Sequence, residues 1–152
     1  MIYLGADHRG FQLKEALKAH LNTRGIKYED VGAHLHEPED DYVDFAILVG
    51  GAVSQNPEED KGIIICGSGH GMDMVVNKFP RVRAALVTDK ERAIQSREHE
   101  NANILVLPSD LIGESTAIGV VDAWLGTLFT GEPRHNRRLK KIEELEAKHF
   151  KI

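Results

Sequence analysis

Cys66, the single cysteine of this 152-residue chain, stands where an apolar run meets a glycine loop: Gly62-Ile63-Ile64-Ile65-Cys66-Gly67-Ser68-Gly69-His70-Gly71. An apolar run bounded by glycines predicts a buried parallel strand, and open α/β sheets bind ligands at the carboxyl ends of such strands. A thiol placed there faces backbone N–H groups and the positive end of a helix dipole, and both favour thiolate. The alternative is a small buried hydrophobe. Two other clusters fall where ligands bind in such a sheet. Asp7-His8 follows the first apolar run, with Gly10 at a helix start. Ser96-Arg97-Glu98-His99 ends a helix, where a histidine serves either as a dipole partner or in proton transfer.

Three other chemistries fit poorly. Gly5 and Gly10, with Asp30 downstream, suggest a dinucleotide fingerprint, but the spacing is not G-x-G-x-x-G and Asp7-His8-Arg9 would crowd a pyrophosphate. The histidines show no metal-binding spacing beyond His34-x-His36, which lies in an acidic loop, so no metal is expected. Ser68 lacks the G-x-S-x-G setting of a nucleophile elbow.

The elements that must position these residues alternate along the whole chain. Strands are predicted over residues 2–6, 26–31, 62–66, 82–87 and 103–107. Helices are predicted from Leu13 to Leu21 with Gly25 as their stop, from Tyr42 to Gln55, from Met72 to Lys78, from an Asp89 cap to His99, from Glu114 to Phe129, and from Arg137 to His149. Gly50-Gly51 should weaken the second of these. The Glu114–Phe129 segment holds Trp124 and few polar residues, so it is expected to pack on a second subunit as well as on the sheet. Alternation of this kind implies an α/β fold, a parallel sheet with helices on both faces. Residues 1–152 read as a single domain with a C-terminal helical extension from about 130. With one cysteine, no long apolar span, no leader pattern and a net charge of −5, a cytoplasmic protein that binds neither membrane nor nucleic acid is expected. The basic group Arg134, Arg137, Arg138, Lys140 and Lys141 is the exception to the acidic balance.

Several segments, in order, resemble the ribose-5-phosphate isomerase type B family, which includes the galactose-6-phosphate isomerase subunits. They are Gly5-Ala6-Asp7-His8-Arg9-Gly10-Phe11, Asp41-Tyr42, the Cys66 loop, Asn77-Lys78, Arg83-Ala84-Ala85, Ser96-Arg97-Glu98-His99, Asn101-Ala102-Asn103, Asp122-Ala123-Trp124-Leu125 and Arg134-His135-x-x-Arg138. The resemblance implies a Rossmann-like three-layer α/β/α domain with a five-stranded parallel sheet, and a homodimer, or a tetramer formed by two such dimers, with active sites shared between subunits. It implies aldose–ketose isomerisation of a phosphorylated sugar through an enediolate, without metal or organic cofactor. In that pattern Cys66 matches the base and Ser68 the hydroxyl that positions the sugar. His99 matches the group that opens the furanose ring. Gly67, Gly69, His70 and Gly71 supply an anion hole, Asp7 and His8 contact sugar and phosphate, and Arg134 and Arg138 grip the phosphate.

The departures concern the rim. His70 replaces Ile or Val, and Met72-Asp73-Met74 replaces small residues. Glu100 replaces a substrate-contacting Asn, and Asp110 stands where the family carries a phosphate-gripping arginine. An acid there should weaken phosphate binding. The resemblance leaves three readings open: interconversion of ribose 5-phosphate and ribulose 5-phosphate, the same reaction on a tetrose or hexose phosphate, and a catalytically inactive sugar-phosphate-binding paralogue.

Overall fold

Among residues 1–151, which the computed structural model describes, five strands and six helices alternate. In chain order they are β1 (Ile2–Ala6), α1 (Phe11–Thr23), β2 (Glu29–Asp30), α2 (Tyr42–Gln55), β3 (Lys61–Cys66), α3 (His70–Val76), β4 (Ala84–Leu86), α4 (Lys90–Glu100), β5 (Ile104–Pro108), α5 (Glu114–Leu125) and α6 (Pro133–His149). The sheet is parallel throughout in the order β2-β1-β3-β5-β4. The strand order reverses between β1 and β3. At such a switch point the loops leaving the two carboxyl ends diverge and open a crevice.

β3 is central because nothing in it needs water. Ile63, Ile64 and Ile65 are fully buried, alternating between the two faces of the sheet. Each contributes about 1.5–3 kcal/mol by burial. On one face Ile63 and Ile65 join Leu4, Leu17, Leu105, Leu107 and Trp124 beneath α1, α4 and α5. On the other, Ile64 packs with Val49, Val53, Met72 and Val76 from α2 and α3.

The edge strands are shorter than the sequence pattern predicts, because side chains replace the ladder at their ends. Before β4, Arg83 N–H donates to Asn103 Oδ1 and Ala84 N–H to Asn77 Oδ1. In β2, the Asp30 carboxylate accepts two hydrogen bonds from Lys14 Nζ and one from Lys18 Nζ. Asp30 is therefore a partner for buried lysine rather than a ribose ligand.

α3 begins at His70, earlier than its periodicity suggests, and ends at Val76. α6 begins at Pro133, whose missing N–H suits the first helical position. The correction at α5 is larger. It ends at Leu125, where Thr127 Oγ1 turns back to donate to Ala123 O. Its residues Ala117, Val120, Val121 and Trp124 are fully buried within the chain. A second subunit is not needed to cover them. Exposed apolar side chains include Leu48 and Met74 elsewhere, and Leu128 just past the end of α5 within the predicted segment.

Candidate active site

Cys66 ends β3 and is buried, 5% exposed. The chain turns at Gly69, whose φ of +81° is the left-handed conformation, into the first turn of α3. A Cβ at Gly69 would also stand 2.3 Å from Leu86 Cδ1, so conformation and space both demand glycine there. The backbone N–H groups of Met72 and Gly69 are directed at the Cys66 thiol. They lower its pKa, as the sequence led us to expect. Burial is the larger effect, and it raises the thiol above its ordinary value of 9.0. The expectation of a favoured thiolate is thus corrected: desolvation outweighs the donors.

Beside this loop lies the turn after β1. Asp7 is buried, and its Oδ1 accepts from the N–H groups of Arg9 and Gly10 at 3.0 Å each. Burial pushes the Asp7 carboxyl up, against the Gly10 N–H and the His8 charge, which lower it. Gly10 lies so close to β3 that a Cβ would meet Ile65 O at 2.2 Å. That contact presses the start of α1 against the strand bearing Cys66.

His8 is fixed by Asp40, which accepts from its backbone N–H at 3.0 Å and lies 2.7 Å from its Nδ1. Asp7, His8 and Asp40 thus bring one ligand atom each within 4.8 Å of one another. Within the group only His8 and Asp40 are hydrogen-bonded to one another, so Asp40 braces the imidazole while Asp7 braces the turn.

Ser68 is exposed, and its Oγ accepts from His70 N–H at 3.3 Å. Tyr42, at the start of α2, lies against Gly71, where a Cβ would come within 2.5 Å of its ring. His70 is exposed beside this tyrosine. Asp73 faces Asn77 at 3.1 Å, and burial raises its carboxyl. Asp7, His8, Cys66, Ser68, Gly67, Gly69, His70 and Gly71 therefore gather at the carboxyl edge of the sheet.

The remaining candidates do not join them. α4 runs back to the start of β5, so His99 sits at the amino edge. β3 and β5 are paired from Gly62–Ile104 to Cys66–Pro108. One strand length, about 13 Å, separates the edges. His99 instead stacks on buried His135, with ring centroids 4.5 Å apart, and His135 Nδ1 lies 2.6 Å from Thr130 Oγ1. Arg134 and Arg138 stand exposed beside this pair on the first turns of α6, Arg134 Nε donating to Glu132 at 3.0 Å. Glu100 is at the same edge, on the wall of an apolar groove of about 510 Å³ that Val82, Ile142, Leu145 and Phe150 also line. The candidate residues of one chain thus fall into two groups at opposite edges of the sheet.

Asp110 is an exposed loop acid, as expected of one facing water, but it is not free. It pairs with Arg9 Nη2. Four residues that shape the two groups were not singled out from sequence. Tyr42 and His135 lay inside the family-like segments Asp41-Tyr42 and Arg134-His135-x-x-Arg138, which was a usable signal. Asp40 was one acid in an acidic run, and Arg9 one residue of a motif.

Known proteins resemble this chain in sequence and fold. The profile of the Ribose/Galactose Isomerase family matches residues 2–142. The probable ribose-5-phosphate isomerase B of Mycoplasma genitalium is 41% identical over 145 residues, 95% of each chain. The Escherichia coli ribose-5-phosphate isomerase B is 39% identical, over 97% of each chain. The crystal structure of the Mycoplasma genitalium ribose-5-phosphate isomerase B with bound ribulose-5-phosphate aligns with a TM-score of 0.94, covering 97% of this chain and 96% of that one. The Clostridium thermocellum ribose-5-phosphate isomerase B structure aligns with a TM-score of 0.92 at 42% identity, over 98% of this chain and 99% of that one.

Proposed function

The chain belongs to the ribose/galactose isomerase family, and from that premise we propose that it interconverts ribose 5-phosphate and ribulose 5-phosphate. It is an aldose–ketose isomerase. The observation that carries the substrate is the near full-length likeness, in sequence and fold, to an isomerase whose structure holds ribulose 5-phosphate.

Cys66 is the base. Its thiolate takes the proton from C2 of the open-chain aldose. The C–H electron pair forms the C1–C2 double bond, and the carbonyl oxygen becomes the enediolate oxygen. The thiol then returns the proton to C1 while the O2 hydroxyl proton passes to O1, leaving the ketose. The N–H groups of Gly69 and Met72 stabilise the thiolate, and the glycine loop from Gly67 to Gly71 faces the developing oxyanion. Ser68 and Tyr42, on the open side of the loop, position the sugar hydroxyls. His8, braced by Asp40, and buried Asp7 hold its other end.

His99 opens the furanose ring, and Arg134 and Arg138 grip the phosphate. Because they occupy the opposite edge of the chain, a complete site needs two copies, the Cys66 edge of one facing the His99 edge of the other. The working form is therefore a dimer. Glu100 enters with His99, on the rim. No helix among the described residues is long and apolar enough to cross a membrane.

The test is isomerisation in deuterated water across a panel of phosphorylated aldoses. Solvent deuterium should appear at C2 of ribose 5-phosphate and ahead of tetrose and hexose phosphates. Exchange confined to another sugar would transfer the substrate assignment to that sugar, and exchange in none would make the chain a binding protein.

A further inference from the structure

We propose that Arg9 is a specificity-determining residue of this site. Its guanidinium, held across Gly67 by Asp110, receives the anionic end of the sugar phosphate, and Asp110 sets how tightly that end is bound. The inference rests on the isomerase reading above and adds to it a role for a cation to which the resemblance assigns none.

The position carries the argument. A Cβ at Gly67, the residue directly after Cys66, would stand 2.6 Å from both Cζ and Nε of Arg9 and 2.9 Å from Asp110 Oδ2. The guanidinium plane therefore lies on the peptide next to the base. Around it the loops leaving three strands are tied together. Ser109 Oγ donates to Arg9 O at 2.9 Å and lies 3.1 Å from Cys66 O. Ser109 N–H donates to Cys66 O at 2.9 Å, and Asp110 N–H donates to Gly67 O at 3.0 Å. Arg9 N–H is held by Asp7. The cation is thus fixed at its root while its head remains accessible, with 55% of the side chain exposed against 41% for Asp110.

The chemistry fits a phosphate. A guanidinium has five donors in a planar fork, and the pairing with Asp110 engages it through Nη2. An ion pair this exposed is weak, whereas a phosphate accepting two parallel N–H bonds is held strongly. A dianion arriving at Gly67 can therefore share or displace Asp110. Arg134 and Arg138 of the same chain are at the far edge. Arg9 is the positive charge acting on Cys66 itself, opposed by Asp7.

Five proteins decide the question: wild type, Arg9→Gln, Arg9→Lys, Asp110→Asn and the double variant of Arg9→Gln with Asp110→Asn. Each is measured for KM and kcat with ribose 5-phosphate and, by calorimetry, for Kd of inorganic phosphate at low ionic strength. Arg9→Gln should raise KM and the phosphate Kd about tenfold, with a smaller change in kcat, and Arg9→Lys should recover part of the loss. Asp110→Asn should lower both constants severalfold, and the double variant should behave like Arg9→Gln alone. A phosphate Kd in Arg9→Gln within about twofold of wild type overturns the proposal. So does an Asp110→Asn variant whose affinity is unchanged or falls with that of Arg9→Gln, since the pair would then be a structural clasp. The Kd needs no turnover. A wild-type protein that fails to isomerise ribose 5-phosphate would remove that substrate assignment, and the Kd series would still decide the role of Arg9.

Discussion

Cys66→Ala is expected to lower turnover by roughly 10²–10⁴-fold while sugar binding and fold persist, because the change deletes only the sulfur, and with it the base. Steady-state kinetics beside a melting curve would check this, and wild-type turnover in the alanine variant would make Cys66 structural. The raised pKa of the thiol gives a second, sharper expectation. Thiolate is the minor form at neutrality, and its population grows about tenfold per pH unit until the thiol pKa is passed. That pKa lies above 9.0 because burial outweighs the Met72 and Gly69 donors. The kcat/KM of the free enzyme should therefore climb with pH beyond 9.0, and the rate of iodoacetamide inactivation should climb with it and be slowed by substrate. A profile that levels off below pH 8 would show that something else sets the base. Neither the sign of this shift nor the Arg9–Asp110 pair was legible in the sequence. The first is a balance between burial and two N–H groups. The second joins loops 101 residues apart.

At the scale of elements, α1 is bound to the edge strand β2 by charge. Lys14 is fully buried, its Nζ 2.6 and 2.7 Å from the two Asp30 oxygens, and Lys18 adds a contact at 2.7 Å. Burial alone would raise the Asp30 carboxyl, but the two lysines hold it at about 2. This depressed value makes the contribution complete above the ordinary 3.8, and it is lost as pH falls through about 2. Asp30→Ala leaves a buried ammonium without its main partner, at a cost of about 3 kcal/mol. Its melting temperature should fall by roughly 6–12 °C, and its stability should depend less on pH between 4 and 2 than that of the wild type. Equal acid sensitivity of the two proteins would count against the pair.

The order and type of every element were legible, because apolar runs and helical spacing are local signals. The ends of β2 and β4 were not. They are set by Lys14, Asn77 and Asn103 reaching across the sequence, which periodicity does not report. α5 misled for a related reason: an apolar helix looks alike whether its own chain or another covers it, and here α1, α4 and β5 do.

For the molecule as a whole, the opposite placement of Cys66 and His99 permits a test by mixing. Cys66→Ala and His99→Asn should each be nearly inactive alone. Exchanged into mixed dimers, they should regain roughly a quarter of wild-type activity, since half the dimers are mixed and each holds one intact site. No recovery on mixing would place the whole site within one chain. The family-like segments pointed to the candidate residues of both groups, but their distribution over two edges emerges only when β3 and β5 are laid in register.

The same separation makes catalysis a matter of mass action. An enzyme whose site closes within one chain keeps its specific activity on dilution. In the proposed dimer the working unit is an equilibrium product of two chains, so near the dissociation constant the active fraction should fall with concentration. Below that concentration, initial rate should scale with the square of the protein present. Substrate bridging the two edges should draw the chains together and restore linearity, so that sugar phosphate acts as the ligand of assembly as well as of the reaction.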